Sequence, residues 1–304
     1  MNPVSRLRER GVALVAVLWG LLFLSTLALS LAFATRTESQ IGRNVRAQAE
    51  AKALADAGIY RAIATLVDPD RTRRWRGDGR VYSFELGDGI VRVSLQDEAG
   101  KIDLNTARPA LLEALFASAG LAPEQAQALA AAVEDWRDAD ELRRPNGAEE
   151  PEYRAAGKPY GPSNRRFETV EELQLVLGVS ATLYEAVADR LTVFSGQPGI
   201  DSQTAPRSVL SIIPGLGEAS ATAILEARES APGTIMMASA IASPYFNPAN
   251  TSTFSIHSEG RSRGGAVHAG EAIVRLTGDL QTPYLVLRWK RGVRRLFEPA
   301  EPDA

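Results

Sequence analysis

The chain has 304 residues, two histidines, no cysteine and a formal net charge of −3. Without cysteine there is no thiol catalysis, no Cys-based zinc site and no disulfide, while 45% apolar residues suffice for a folded domain. The charge is uneven: residues 1–96 are net +5, 97–230 net −10 and 231–304 net +2, so an acidic unit sits inside a near-neutral chain.

Val12 to Ala34 run without a charge. A helix over that stretch reaches roughly 35 Å, enough to cross the ~30 Å hydrocarbon core of a bilayer. Arg6, Arg8 and Arg10 precede it against Glu9 alone, so positive-inside bias keeps the N-terminus cytoplasmic and sends the C-terminal domain across. A secretory signal would place a small-residue cleavage site after a shorter apolar region. Here the small residue, Gly11, comes first, and a cut there removes the basic leader (1–11) and spares the anchor (12–34). That order resembles the N-terminus of type IV pilins and pseudopilins. The resemblance implies cleavage by a prepilin peptidase between Gly11 and Val12, and N-methylation of Val12. Ala16 stands where most of that family carries a glutamate, a departure that suits a subunit with nothing below it to recruit.

The helix is expected to continue to about Val67, because Ile41, Val45, Ala49, Ala53, Ala57, Tyr60, Ala64 and Val67 trace one apolar stripe that a sheet would cover. Asp68-Pro69 ends it, and the polar linker Asp68–Arg80 follows. Val81–Leu86 and Ile90–Leu95 alternate around Gly87-Asp88-Gly89, which predicts a β-hairpin within a unit spanning 35–96. Alternation returns only at Phe254–His257, Glu271–Leu276 and Tyr284–Trp289, within 231–304. The fold class is therefore α+β: a long N-terminal helix on a small antiparallel sheet, with a large all-α insert over 97–230. Within the insert, Asn105-Thr106 is expected to cap a helix through Phe116, Pro123–Trp136 forms the next, and Thr169 with Glu172 makes a capping box. Ala181–Val193, Arg207–Ile213 and Ala219–Arg228 complete it.

Ile212-Ile213-Pro214-Gly215-Leu216-Gly217 matches a helix-hairpin-helix pattern, in which exposed N–H groups at a helix start can hold phosphate. That opens an alternative, a membrane-anchored DNA receptor. Glu218 after the turn and the insert's net −10 oppose phosphate contact, so nucleic acid is not an expected partner. In the run Glu134 to Glu150, Asp135, Asp138 and Asp140 leave a helix end and enter a Pro/Gly loop. Clustered carboxylates on flexible backbone suit Ca²⁺, which takes six to eight hard oxygens. The bland alternative is an acidic turn neutralised by Arg137, Arg143 and Arg144. His257 and His268 read as solvated loop residues, and no nucleophile–base pair can be nominated, so no enzyme is expected.

DWRDADELRRPNGAEEPEY, YGPSNRRFETVEELQLVLGV and LTVFSGQPGIDSQTAP, with GKIDLNTA before them, resemble the helical insert of the type II secretion minor pseudopilin K family. That family also lacks the glutamate replaced here by Ala16. The resemblance implies a pilin-like fold with a helix-hairpin-helix or SAM-like insert, calcium as a cofactor, and Asp135, Asp138, Asp140, Glu149 and Glu150 as candidate ligands. It implies a non-catalytic subunit of the inner membrane, with its C-terminal domain in the periplasm. Such a subunit caps the pseudopilus tip with minor pseudopilins I and J. A tip subunit of a type IV pilus is the related alternative.

Overall fold

A computed structural model describes residues 5–230, 243–247 and 252–292. Helix α1 runs unbroken over Ser5–Leu66, 62 residues. It stops where Asp68-Pro69 withdraws an N–H donor and pushes the preceding residue out of the helical region. It is one helix long and apolar enough to cross a membrane, by length and composition. Strands β1 (Asp78–Leu86) and β2 (Gly89–Asp97) form the expected hairpin, each longer than the alternation alone indicated. Gly87 at the turn has φ 60°, a conformation that costs glycine little.

The chain then leaves the sheet. It passes through short β3 (Ile102–Asp103), α2 (Pro109–Ser118), α3 (Pro123–Arg137), α4 (Glu150–Ala155), a 3-10 stretch Val170–Leu175, α5 (Ala181–Val187), short β4 (Leu191–Thr192), α6 (Arg207–Leu210) and α7 (Gly217–Ser230). It re-enters as β5 (Thr253–Arg261), β6 (Val267–Leu276) and β7 (Tyr284–Arg291). The sheet order is β1-β2-β5-β6-β7, antiparallel throughout. Asp97 at the end of β2 pairs with Phe254 in β5, so the insert leaves and returns at neighbouring points. The expectation for 231–304 extends over 231–242, 248–251 and 293–304, which lie outside the described residues.

Three local expectations fail. The helix expected over Ala181–Val193 ends at Val187 and gives way to a 3-10 turn and β4, whose Leu191 and Thr192 pair with Ile102 and Asp103. Asn105 does not cap α2; it ties the chain to Phe167, accepting from its N–H at 2.7 Å and donating to its carbonyl at 3.0 Å. α2 starts instead at Pro109, whose fixed φ suits a first helical position and whose missing N–H is needed by no partner there. The stretch after Thr169 is a 3-10 turn rather than an α-helix, although Glu172 does accept from the Thr169 N–H at 3.0 Å.

The face of α1 against the sheet also differs from expectation. The sheet covers Ala51, Leu54, Ala55, Gly58, Ile59, Ala62, Ile63 and Leu66, all buried. Of the expected stripe, Ile41, Val45 and Tyr60 are 57%, 63% and 56% exposed, Ala49, Ala53 and Ala64 are exposed, and Ala57 and Val67 are only half-buried. The reason is closeness. A Cβ at Gly58 would meet Ser258 Oγ at 2.2 Å and Val91 at 2.7 Å, so only the face presenting Gly58 can come this near the strands. Each large side chain buried there, such as Ile59 or Ile63, contributes about 1.5–3 kcal/mol relative to exposure.

The described residues form two apolar cores. One gathers Ile59, Ile63, Leu66, Val91, Val93, Leu95, Ile256, Ala272 and Val274 between α1 and the sheet. The other lies inside the insert around Leu104, Leu111, Leu115, Phe116, Val133, Trp136, Tyr153, Leu173 and Leu210. Both histidines sit in strands, not loops: His257 is in β5 and His268 in β6. His257 is half-buried with Nε2 3.8 Å from Glu271, and burial lowers its pKa.

Candidate functional site

The acidic run is built on the C-terminal end of α3. Asp135 lies on its buried face with a fully covered side chain, and Asp138 is the first extended residue past the end, its N–H donating to the Glu134 carbonyl at 3.1 Å. The chain loops out and returns through a tight turn in which Asn146 has φ 65° and Gly147 N–H donates to the Arg144 carbonyl at 2.9 Å. Gly147 is needed for closeness, since a Cβ there would fall 2.0 Å from Asp135 Oδ2.

The turn delivers Arg144 into the carboxylates. Its backbone N–H donates to Asp135 Oδ1 at 3.3 Å and its guanidinium to the same oxygen at 3.2 Å. The guanidinium also pairs with Asp138 and approaches Glu134 Oε2 at 3.4 Å. Arg137 donates to the carbonyls of Leu104 at 2.5 Å and Ala107 at 3.1 Å and keeps only a 3.4 Å contact to Glu134 Oε1, while Arg143 pairs with Glu152 at 2.7 Å. One arginine therefore carries most of the neutralisation that three were expected to share. Nothing in the local sequence marks Arg144 above its neighbours.

Glu149 is 4% exposed and has no arginine of its own. Its carboxyl is pushed up to about 7, first by burial and then by the negative charges of Asp135, Asp138, Asp140 and Glu141. Glu149 Oε1 and Asp138 Oδ1 are buried and lack a hydrogen-bond partner among the described residues. Unpaired buried carboxylate oxygens are costly, and a hard cation is the group whose chemistry they match.

The five candidate ligands are not assembled as one set. Glu150 opens the unexpected helix α4, is exposed, and pairs with Arg154 one turn on. Asp140 is exposed and accepts from the Leu142 N–H at 2.8 Å. Among the described residues, no three His, Cys, Asp or Glu side chains converge in a metal-holding arrangement. Asp135, Asp138 and Glu149 are brought together electrostatically, with Arg144 among them.

The helix-hairpin-helix turn is present, with Gly215 at φ 78° and Gly217 at φ 73° before α7. Glu218 in its first turn pairs with Arg207, so that cation is engaged by the protein's own carboxylate. Gly11 and Val12 both fall within α1, and the Val12 side chain lies outside what the structure describes. Sequence reasoning also missed Glu171, the residue before the capping-box Glu172. Glu171 accepts from both Arg288 and Lys290 of β7. The only signal in the sequence is the alternation that puts Arg288 and Lys290 on one face of that strand.

Residues 93–196 match the family described as type II secretion system (T2SS), protein K. The chain is 30% identical over 207 residues to the type II secretion system protein K of Pectobacterium carotovorum subsp. carotovorum, covering 59% of this chain and 61% of that protein. It is 29% identical to the protein of the same name from Klebsiella pneumoniae, covering 59% and 60%. It thus matches about three fifths of the length of these curated relatives. A chain in the crystal structure of the GspK-GspI-GspJ complex from the enterotoxigenic Escherichia coli type 2 secretion system shares the fold. The TM-score is 0.52 at 17% identity, covering 86% of this chain and 99% of that one. Residues 93–196 thus match the type II secretion system protein K family, set in a fold of a long N-terminal helix on an antiparallel sheet that the solved structure shares, in agreement with the resemblance read from the sequence.

Proposed function

We propose that the chain is a non-catalytic minor pseudopilin that caps the tip of the type II secretion pseudopilus together with minor pseudopilins I and J, in support of protein export across the outer membrane. The observation that carries this reading is the apolar row left open on α1. Ile41, Val45, Ala49 and Ala53 are exposed at four-residue spacing and carry an apolar row on α1 past the uncharged segment. Such a row is a ridge that packs into the groove of another helix, and its alanines allow close approach. A spine with one face on its own sheet and another free suits a bundle of like spines. The name of the structural relative, a complex of three such proteins, supports I and J as partners.

The insert supports capping. It branches from between β2 and β5, and a side domain of this size would obstruct a further subunit stacked above it. In this reading a prepilin peptidase cuts between Gly11 and Val12, the new N-terminus at Val12 is methylated, and α1 anchors the precursor in the inner membrane. The N-terminus is then cytoplasmic and the C-terminal domain periplasmic. Calcium, when bound, would supply positive charge at Asp135, Asp138 and Glu149, with Asp140 nearby; the two unpartnered oxygens and the raised Glu149 pKa support that assignment.

The test is co-purification of the full chain from detergent extracts with minor pseudopilins I and J. Recovery of a complex is expected, and recovery of the chain alone in repeated extractions contradicts the reading. Gly11→Val is expected to block leader removal completely, seen as a precursor longer by the leader; normal shortening contradicts the pilin-type processing.

A further inference from the structure

The insert and the helix–sheet unit keep separate apolar cores, and among the described residues no buried apolar cluster bridges them. Polar contacts join them instead. At the root of the insert, Gln96 Nε2 donates to the Thr204 carbonyl at 2.8 Å, and the Asp201 N–H donates to the Ala99 carbonyl at 2.9 Å. Lys101 Nζ reaches Glu98 at 2.7 Å and Ser255 Oγ at 3.0 Å, and the Thr192 hydroxyl donates to Glu98. Glu98 is 1% exposed, so these bonds work in a low dielectric and hold the root firmly.

Arg80 of β1 also pairs with Glu229 of α7 beside this root, and a further joint, at the opposite edge strand of the sheet, differs in kind. Glu171, in the stretch Val170–Leu175 of the insert, accepts from both Arg288 and Lys290 on β7. Its side chain is 38% exposed. We propose that Glu171 is an ionic latch that holds the insert against β7, and that opening it lets the insert pivot about its root with both cores intact. Relative motion is the default across an interface without a large apolar area. Burial pushes the Glu171 carboxyl up, but Lys290 and then Arg288 pull it down to about 2. It therefore stays ionised throughout the neutral range, and the latch responds to ionic strength and to competing charge rather than to pH. This inference rests on the fold and not on the assignment to the pseudopilus.

The absence of cysteine makes the test direct. Spin labels on Lys158→Cys in the insert and Glu85→Cys on β1, both exposed positions, report the pose of the insert in the detergent-solubilised full chain. A single narrow distance distribution is expected. Glu171→Gln should broaden or shift it while the thermal melt keeps its shape. Salt at 1 M, where the screening length is about 3 Å, should move the unmutated distribution the same way. Glu171→Lys combined with Arg288→Glu and Lys290→Glu should restore the narrow distribution. A distribution unchanged by both Glu171→Gln and 1 M salt overturns the latch, and so does a charge-reversed variant as broad as Glu171→Gln. If Glu171→Gln fails to fold, the salt series on the unmutated chain decides alone.

Discussion

Two regions of the insert use carboxylates in opposite ways. In the acidic loop, Glu149 is buried among like charges and its carboxyl rises to about 7. At the seam with the sheet, Glu171 is more exposed, meets two cations and falls to about 2. The first site stores repulsion that an added cation can relieve, and the second is already neutralised by the protein's own side chains. Sequence position does not separate them, since both glutamates lie beside helix starts. The partners brought by tertiary folding do.

The comparison breaks most severely at Gly147. Gly147→Val places a Cβ 2.0 Å from Asp135 Oδ2 and must displace a buried carboxylate from Arg144. Overpacking and loss of the pair together cost about 3 kcal/mol or more, read as a lowered denaturant midpoint. A variant as stable as the unmutated chain would mean that the loop is not packed as described.

Glu149→Gln sharpens the contrast. A carboxyl with pKa about 7 in the folded state and 4.5 as reference binds its proton more tightly when folded. Stability from this group is therefore highest below pH 4.5, falls as pH rises to about 7, and stays low above it. Glu149→Gln should abolish that fall, gaining up to about 3 kcal/mol at pH 8 and little at pH 4.5. Millimolar Ca²⁺ should raise the Tm of the unmutated chain at pH 8 by binding the folded state, and raise that of Glu149→Gln less. Equal Tm with and without chelator would remove calcium from the account.

Glu171→Gln should act with the opposite sign and least strongly. It loses an ion pair already screened by solvent, worth below about 1 kcal/mol, and the loss should be the same between pH 5 and pH 8. A loss that appears only at one end of that range would contradict the ionised latch.

Much of the architecture was legible in the sequence because it follows from periodicity: the uncharged run, the hairpin around Gly87, the interrupted strands and the main helices of the insert appear where alternation or helical spacing placed them. The covered face of α1 was not, because two apolar rows share that alanine-rich helix and the choice between them depends on Gly58, whose role is visible only against Val91 and Ser258. Helix α4 was hidden in a run read as acidic loop, although its proline in the first turn is a helix-start signal. In the candidate site, carboxylate density picked out Asp135 and Asp138, and the family resemblance added Glu149. Neither could show that Arg144 would fold in among them, or that Glu150 would turn outward to Arg154.

The reading of the chain as a fibre subunit depends on the free face of α1 meeting the spine of a neighbouring subunit. The most direct measurement is disulfide cross-linking of the full-length chain carrying Ala53→Cys, an exposed position on that face, against single-cysteine variants along the N-terminal helix of minor pseudopilin I, with Glu124→Cys on the insert as control. Cross-links from position 53 and none from position 124 are predicted. Cross-links from position 124 alone, in a complex that forms normally, would contradict the account.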